Sequence, residues 1–306
     1  MTLNPLNALL LAAALLPSGA STAAAQQAAS ESATGSLLNI DRLRAVSRML
    51  PGSHALRINV LKFAESRRTK NFSIKGAPAA PSIQARTAFQ VVYPDGYIMI
   101  DSGMDQQVHK FFGRGTEEPY DSAANQEIQR ALRGARSIVM THEHGDHIAG
   151  VLRSDYLDEI ASKTVLTRTQ VQTLLNTPQM PEIKITPEQA KRYIVIDYES
   201  YAPFAPGISL MKAAGHTSGS QMIYVALANG EEYLFIGDSA WHMDGVRLMR
   251  GKDANWIKED EDALAAQLKW LNMLDRTEKN LHIVVSHDDE QRKDYIQRGL
   301  LGGKLE

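Results

Sequence analysis

Six residues, His142-Glu143-His144-Gly145-Asp146-His147, constrain this chain more than any other stretch. They set three imidazoles and the Asp146 carboxylate almost side by side. Before them runs Arg136-Ser137-Ile138-Val139-Met140-Thr141, whose apolar centre reads as a buried strand. After them Gly150 and the spaced Val151, Leu152, Tyr156, Leu157 and Ile160 read as a helix. The cluster therefore lies where a strand hands over to a helix. His142 and His144 are two residues apart, so an extended backbone points both to the same side. Asp146 and His147 follow in the turn and face a second centre. Imidazole with carboxylate is the donor mix that suits zinc and, less selectively, iron or manganese. A histidine-rich surface loop is the bland alternative, but four ligand-type side chains at this spacing rarely occur without a metal.

A two-metal site needs more donors, and the rest of the chain offers them in one repeated pattern. His216 follows the strand-like Ile208-Ser209-Leu210-Met211 within Ala213-Ala214-Gly215-His216-Thr217-Ser218-Gly219. Asp238 ends the apolar run Leu234-Phe235-Ile236-Gly237-Asp238, and His287 ends His282-Ile283-Val284-Val285-Ser286-His287. Any one of these alone is more often a structural residue. Three strand-then-ligand repeats after the cluster are a stronger signal.

With these motifs in hand, the chain resembles the metallo-β-lactamase superfamily. The match is to an H-x-H-x-D-H motif, a histidine in a G-H-T-x-G context, a G-D aspartate and a last histidine after a strand, over roughly residues 85 to 290. The resemblance implies an α/β fold, a four-layer αβ/βα sandwich of two mixed β-sheets with outer helices. It implies two zinc ions per chain. His142, His144 and His216 would hold one, Asp146, His147 and His287 the other, and Asp238 would bridge them. Asp101, at the end of Ile98-Met99-Ile100, matches an early strand-end aspartate that supports the ligands from behind. Within the superfamily the stretch from Gly237 to Trp241 and the run Ser286-His287-Asp288-Asp289-Glu290-Gln291 are similar to the N-acyl homoserine lactonases. Those enzymes commonly carry a tyrosine three residues after the bridging aspartate. Here that position is Trp241, whose indole donates a hydrogen bond but cannot act as an acid. Trp241 and His242 are the candidates for the substrate pocket.

The chemistry implied is metal-assisted hydrolysis of an ester-like bond. Two divalent ions sharing a water generate hydroxide near neutral pH, with Asp146 and Asp238 as the catalytic carboxylates that hold it. A lactone is the first substrate class. An exported metallo-β-lactamase, a thioester hydrolase and a mononuclear-iron persulfide dioxygenase are the alternatives on the same fold. The partner expected is a small molecule.

Composition limits the other options. With 33 basic and 35 acidic residues the net charge of −2 gives no reason to expect nucleic-acid binding. The absence of cysteine excludes thiolate ligands and disulfides. Residues 1–25 are expected to be a signal peptide. Ala8 to Leu16 is an apolar core too short to span a bilayer, and Ala23-Ala24-Ala25 offers small residues for cleavage. The expectation is export to a bacterial periplasm without a stable membrane anchor. Residues 26–36 read as a disordered linker and residues 37–306 as the hydrolase domain. The oligomeric state is not readable.

Two hairpins are expected, around Pro94-Asp95-Gly96 and around Ala228-Asn229-Gly230-Glu231. Glu259 to Arg276 reads as a helix with an apolar stripe through Leu264, Leu268, Leu271 and Leu274. The segment from about 55 to 85 has no clear period, and its Arg67, Arg68 and Lys70 read as a solvated face. Glu143 reads as a supporting or surface residue, not a catalytic base.

Overall fold

Strands buried on both faces read as unbroken apolar runs, and several here sort their side chains alternately into two different cores. In β3 (Gly96–Ile100) Ile98 and Ile100 join one hydrophobic cluster and Met99 another. In β4 (Ser137–Val139) Ile138 and Val139 divide the same way. In β9 (Gln221–Ala226) Ile223 and Val225 face the first of these clusters, while Met222 and Tyr224 face a third. A strand that feeds two cores must be covered on both sides, so each sheet lies between helices and the other sheet.

The computed structural model describes residues 38–306. The expected signal peptide and linker lie outside the described residues. Among the described residues there are two sheets. The first runs in the order β1 (Arg57–Thr69), β2 (Pro81–Tyr93), β3, β4, β5 (Thr164–Thr167), β6 (Ile194–Ile196). Its first two pairings are antiparallel and the remaining three parallel. The second runs β11 (Leu281–Val284), β10 (Glu232–Phe235), β9, β8 (Ile208–Lys212), β7 (Tyr201–Ala205). It is antiparallel except for β10 with β11. Both sheets are mixed. Val91, Ile98, Ile100 and Val139 of the first sheet pack with Leu210, Ile223, Val225 and Phe235 of the second. Helices at 122–134 and 145–152 cover the first sheet's outer face through Ile128, Leu132, Ile148 and Val151. The helix Glu261–Thr277 covers the second through Leu268, Leu271 and Leu274. This is the four-layer αβ/βα sandwich expected from the motifs.

Both hairpins form where expected, joining β2 to β3 and β9 to β10. The segment from 55 to 85 departs from expectation. It holds β1 and the start of β2, paired from Arg57 opposite Val92 to Thr69 opposite Pro81. A register shift between Lys62 and Ala64 breaks the alternation that would have revealed the strand. The buried far end of the β1–β2 pairing also carries Ser66, Gln84, Arg86 and Thr87, because that end lies beside the polar site. Arg68 is not on a solvated face either: its side chain is 15% exposed and pairs with the buried Glu118.

The stripe on Glu261–Thr277 gives a stability prediction. Leu271 is fully buried and Met273 is 44% exposed. Urea unfolding should show Leu271→Ala losing about 2–5 kcal/mol, and Met273→Ala less than about 0.5 kcal/mol.

Candidate metal centre

Five strand ends open onto one place. β3 ends at Asp101 and β4 at Thr141 and His142. β8 leads to the His216 loop, β10 to Asp238 and β11 to His287. His144 stands at the N-terminal boundary of the helix Gly145–Leu152, whose first turn carries Asp146 and His147. Covering β3, β4, β8, β10 and β11 on both faces fixes where each of these loops starts.

The seven candidate ligands fall into two groups. His142, His144, His216 and Asp238 form one and Asp146, His147 and His287 the other, with the donor atoms of each group within 4.8 Å of one another. Asp238 divides its carboxylate between them. Oδ2 lies 3.3 Å from His216 Nε2 and 3.9 Å from His142 Nε2. Oδ1 lies 3.0 Å from His287 Nε2 and 3.4 Å from His147 Nε2. His142 Nε2 and Asp238 Oδ1 are buried with no hydrogen-bond partner. Such orphans are costly in a protein interior, and cations coordinated at these atoms would satisfy both. The residues therefore fit a pair of metal ions.

The opposite side of four of the five rings is already held, which aims the free nitrogen inward. His147 Nδ1 is 2.8 Å from Asp101 Oδ2, His216 Nδ1 is 2.5 Å from Glu259 Oε1, and His287 Nδ1 donates to the Ala85 carbonyl at 2.8 Å. His142 Nδ1 meets Thr141 Oγ1 at 3.1 Å. Asp101 also accepts the Thr141 amide at 2.7 Å. It does so with φ at 58°, a left-handed backbone that non-glycine residues rarely adopt.

Burial sets the protonation of the first group. It pushes His142 and His216 well below the usual imidazole range and His144 down to about 4. These rings are neutral donors at neutral pH. Burial would lower His147 too, but Asp101, Asp146 and Asp238 outweigh it and push it well above that range. A cation there must displace a proton. For Asp238, burial favours the protonated acid. His287, His147, His142 and His216 overturn that preference and hold its carboxyl well below the usual carboxylate range.

Three residues at the site were not identified from the sequence. Arg86 Nη1 donates to Asp146 Oδ2 at 2.5 Å. Lys252 donates to the Asp238 backbone carbonyl and pairs with Glu259 at 2.7 Å. Arg86 carried a signal, since a charge stands inside the otherwise uncharged Ala85-Arg86-Thr87-Ala88-Phe89. Glu259 read as a helix-opening acid, and Lys252 lies in a stretch without period.

The two pocket candidates separate. Trp241 lines a cavity of ≈ 880 Å³ beside both metal groups. Its Nε1 donates to Asp238 Oδ2 at 2.6 Å, and its ring stacks on Phe72 at 5.4 Å. His242 does not line that cavity. It caps the helix Met243–Leu248 by accepting the Asp244 amide at 3.0 Å, which turns the ring toward Asp288 instead. Glu143 is buried and supports the His216 loop, accepting from Thr217 Oγ1 at 2.9 Å and the Gly219 amide at 3.3 Å. A Cβ at Gly219 would stand 2.4 Å from Glu143 Oε2, so only glycine allows this approach.

No family model and no curated protein matches the chain. Solved structures do. An N-acyl homoserine lactone hydrolase with N-hexanoyl-L-homoserine at its catalytic metal centre is 16% identical, with 79% of this chain and 96% of that chain covered at a TM-score of 0.60. A probable metal-dependent hydrolase from Staphylococcus aureus is 13% identical, covering 78% and 91% at 0.60. A dizinc quorum-quenching lactonase is 14% identical, covering 78% and 92% at 0.54. At these identities the likeness establishes a shared fold.

Glu259 gives the testable consequence. Removing its charge in Glu259→Gln loosens the hold on His216 and should weaken any zinc binding by the first group about 10–100-fold. Competition with a chromophoric chelator measures this, and unchanged affinity would rule out that support.

Proposed function

We propose that this chain, built on the metallo-β-lactamase fold, is a binuclear metallohydrolase that opens ester-like bonds, with lactones of the N-acyl homoserine type as its first substrate class. The observation that carries the reading is the Asp238 carboxylate, with one oxygen turned to each group of donors. Bound divalent ions would supply hydroxide near neutral pH and Lewis-acid polarisation of a carbonyl oxygen. His142, His144, His216 and Asp238 would hold one ion, and Asp146, His147, His287 and Asp238 the other.

The chain's own residues do the rest. Phe72, Trp241 and Trp256 give the cavity an aromatic wall suited to an acyl chain or ring. Trp241 fixes the rotation of Asp238 through its indole N–H, and having no acidic hydroxyl it adds no proton to the reaction. Glu143 spends its oxygens on Thr217 and Gly219. Glu143 is therefore not free to act as a base, and Asp146 and Asp238 would supply the negative charge that holds the second ion and fixes the hydroxide. The fold neighbours support the hydrolase reading through what they are: an acyl homoserine lactone hydrolase, a dizinc lactonase and a probable metal-dependent hydrolase. Export remains part of the proposal, supported by the apolar run at Ala8 to Leu16. A mature N-terminus at Gln26 in a periplasmic fraction tests it.

Protein saturated with zinc should carry two equivalents and hydrolyse homoserine lactones within a panel that includes aryl esters, a thioester and a cephalosporin. Chelation should abolish the activity. Asp238→Ala should lose about 10²–10³-fold or more in turnover while its circular dichroism stays native. Near-native turnover in a folded Asp238→Ala protein would contradict the assignment.

A further inference from the structure

Arg86 sits on β2 with a side chain only 6% exposed, and its guanidinium grips Asp146. Nη1 lies 2.5 Å from Asp146 Oδ2, and 3.2 and 3.3 Å from the two ring nitrogens of His287. Asp146 Oδ2 is also the oxygen turned toward the other donors of its group, 3.4 Å from His287 Nε2 and 3.7 Å from His147 Nε2. A permanent cation thus already holds an oxygen that a metal in this half would need.

Among the described residues, the first half has no counterpart. Its nearest cation, Lys252, donates to the backbone carbonyl of Asp238 and to Glu259 and touches no donor atom of that half. The orphaned His142 Nε2 lies in the first half and the orphaned Asp238 Oδ1 faces the second, but in the second half Asp146 Oδ2 is already satisfied by Arg86. Guanidinium cannot leave by deprotonating, since its pKa is too high. A divalent ion bound by Asp146 must therefore take the oxygen from Arg86 and sit close to a like charge. Arg86 has somewhere to retreat. Its Nη2 already reaches Ser66 Oγ at 3.2 Å, and its guanidinium lies 4.9 Å from the Phe112 ring centroid.

We propose that Arg86 makes the two halves unequal. The His142–His144–His216–Asp238 half binds its ion tightly, and the Asp146–His147–His287 half takes a second ion weakly, only when Arg86 releases Asp146. The proposal rests on the metallohydrolase reading and adds an order of filling to it. At low free zinc the protein holds one ion, with Arg86 standing as the second positive charge.

Metal-free protein is equilibrated with zinc buffered at graded free concentrations, and bound zinc is counted by elemental analysis. The wild type should plateau at one equivalent and reach two only at free zinc about 100-fold higher. Arg86→Met and Arg86→Gln should move the second step to free zinc at least about 10-fold lower and leave the first within about 3-fold. A single wild-type step to two equivalents overturns the proposal. So does a second step that the substitutions leave in place or move to higher zinc. Should neither variant fold, the two-step wild-type isotherm decides alone. A protein that binds no zinc overturns the metallohydrolase reading itself, which keeps the two failures distinct.

Discussion

The whole arrangement depends on one buried carboxylate. Asp238 is 5% exposed and faces four imidazoles, two through each oxygen. An ionised carboxylate in such a place is stable only with positive charge close by. Two fixed cations stand nearby, Arg86 on Asp146 and Lys252 on the Asp238 main chain, while Asp101 and Glu259 restore negative charge behind His147 and His216. The interior is thus a set of alternating charges laid around a small polar gap. On the proposed reading, metal ions complete that balance.

The sandwich keeps these groups at close range. Side chains on both faces of β3, β4, β9 and β10 are locked into separate cores, so the loops at their ends start from fixed positions. Local strain is accepted there. Asp101 holds a left-handed backbone, and Gly237, just before Asp238, has φ at 51° with a Cβ position 3.0 Å from Thr141 Cβ. Such conformations persist only where surrounding packing over-determines them. Trp241 extends the same logic to the cavity: one residue carries both the aromatic wall and a hydrogen bond to Asp238.

The candidate metal ligands were legible because they follow short strand-like apolar stretches, as in Leu234-Phe235-Ile236-Gly237-Asp238. Strand ends and ligands are then neighbours in sequence as well as in space. The residues that support them were less legible, since they come from distant segments and have no local period. Glu259 reaches His216 across 43 positions and Arg86 reaches Asp146 across 60. β1 was hidden by its register shift and by the polar side chains it buries beside the site. His242 misled for a different reason. It follows Asp238 closely in sequence, but an unsatisfied amide at the start of the helix Met243–Leu248 claims its ring.

The central claim is that these seven side chains hold two ions on either side of Asp238. Crystals equilibrated with excess zinc and measured on both sides of the zinc absorption edge test it most directly. The account predicts two anomalous peaks about 3.5–4 Å apart, one among His142, His144 and His216 and one among Asp146, His147 and His287, with the Asp238 carboxylate between them. A single peak at saturating zinc, or peaks away from these residues, would contradict it.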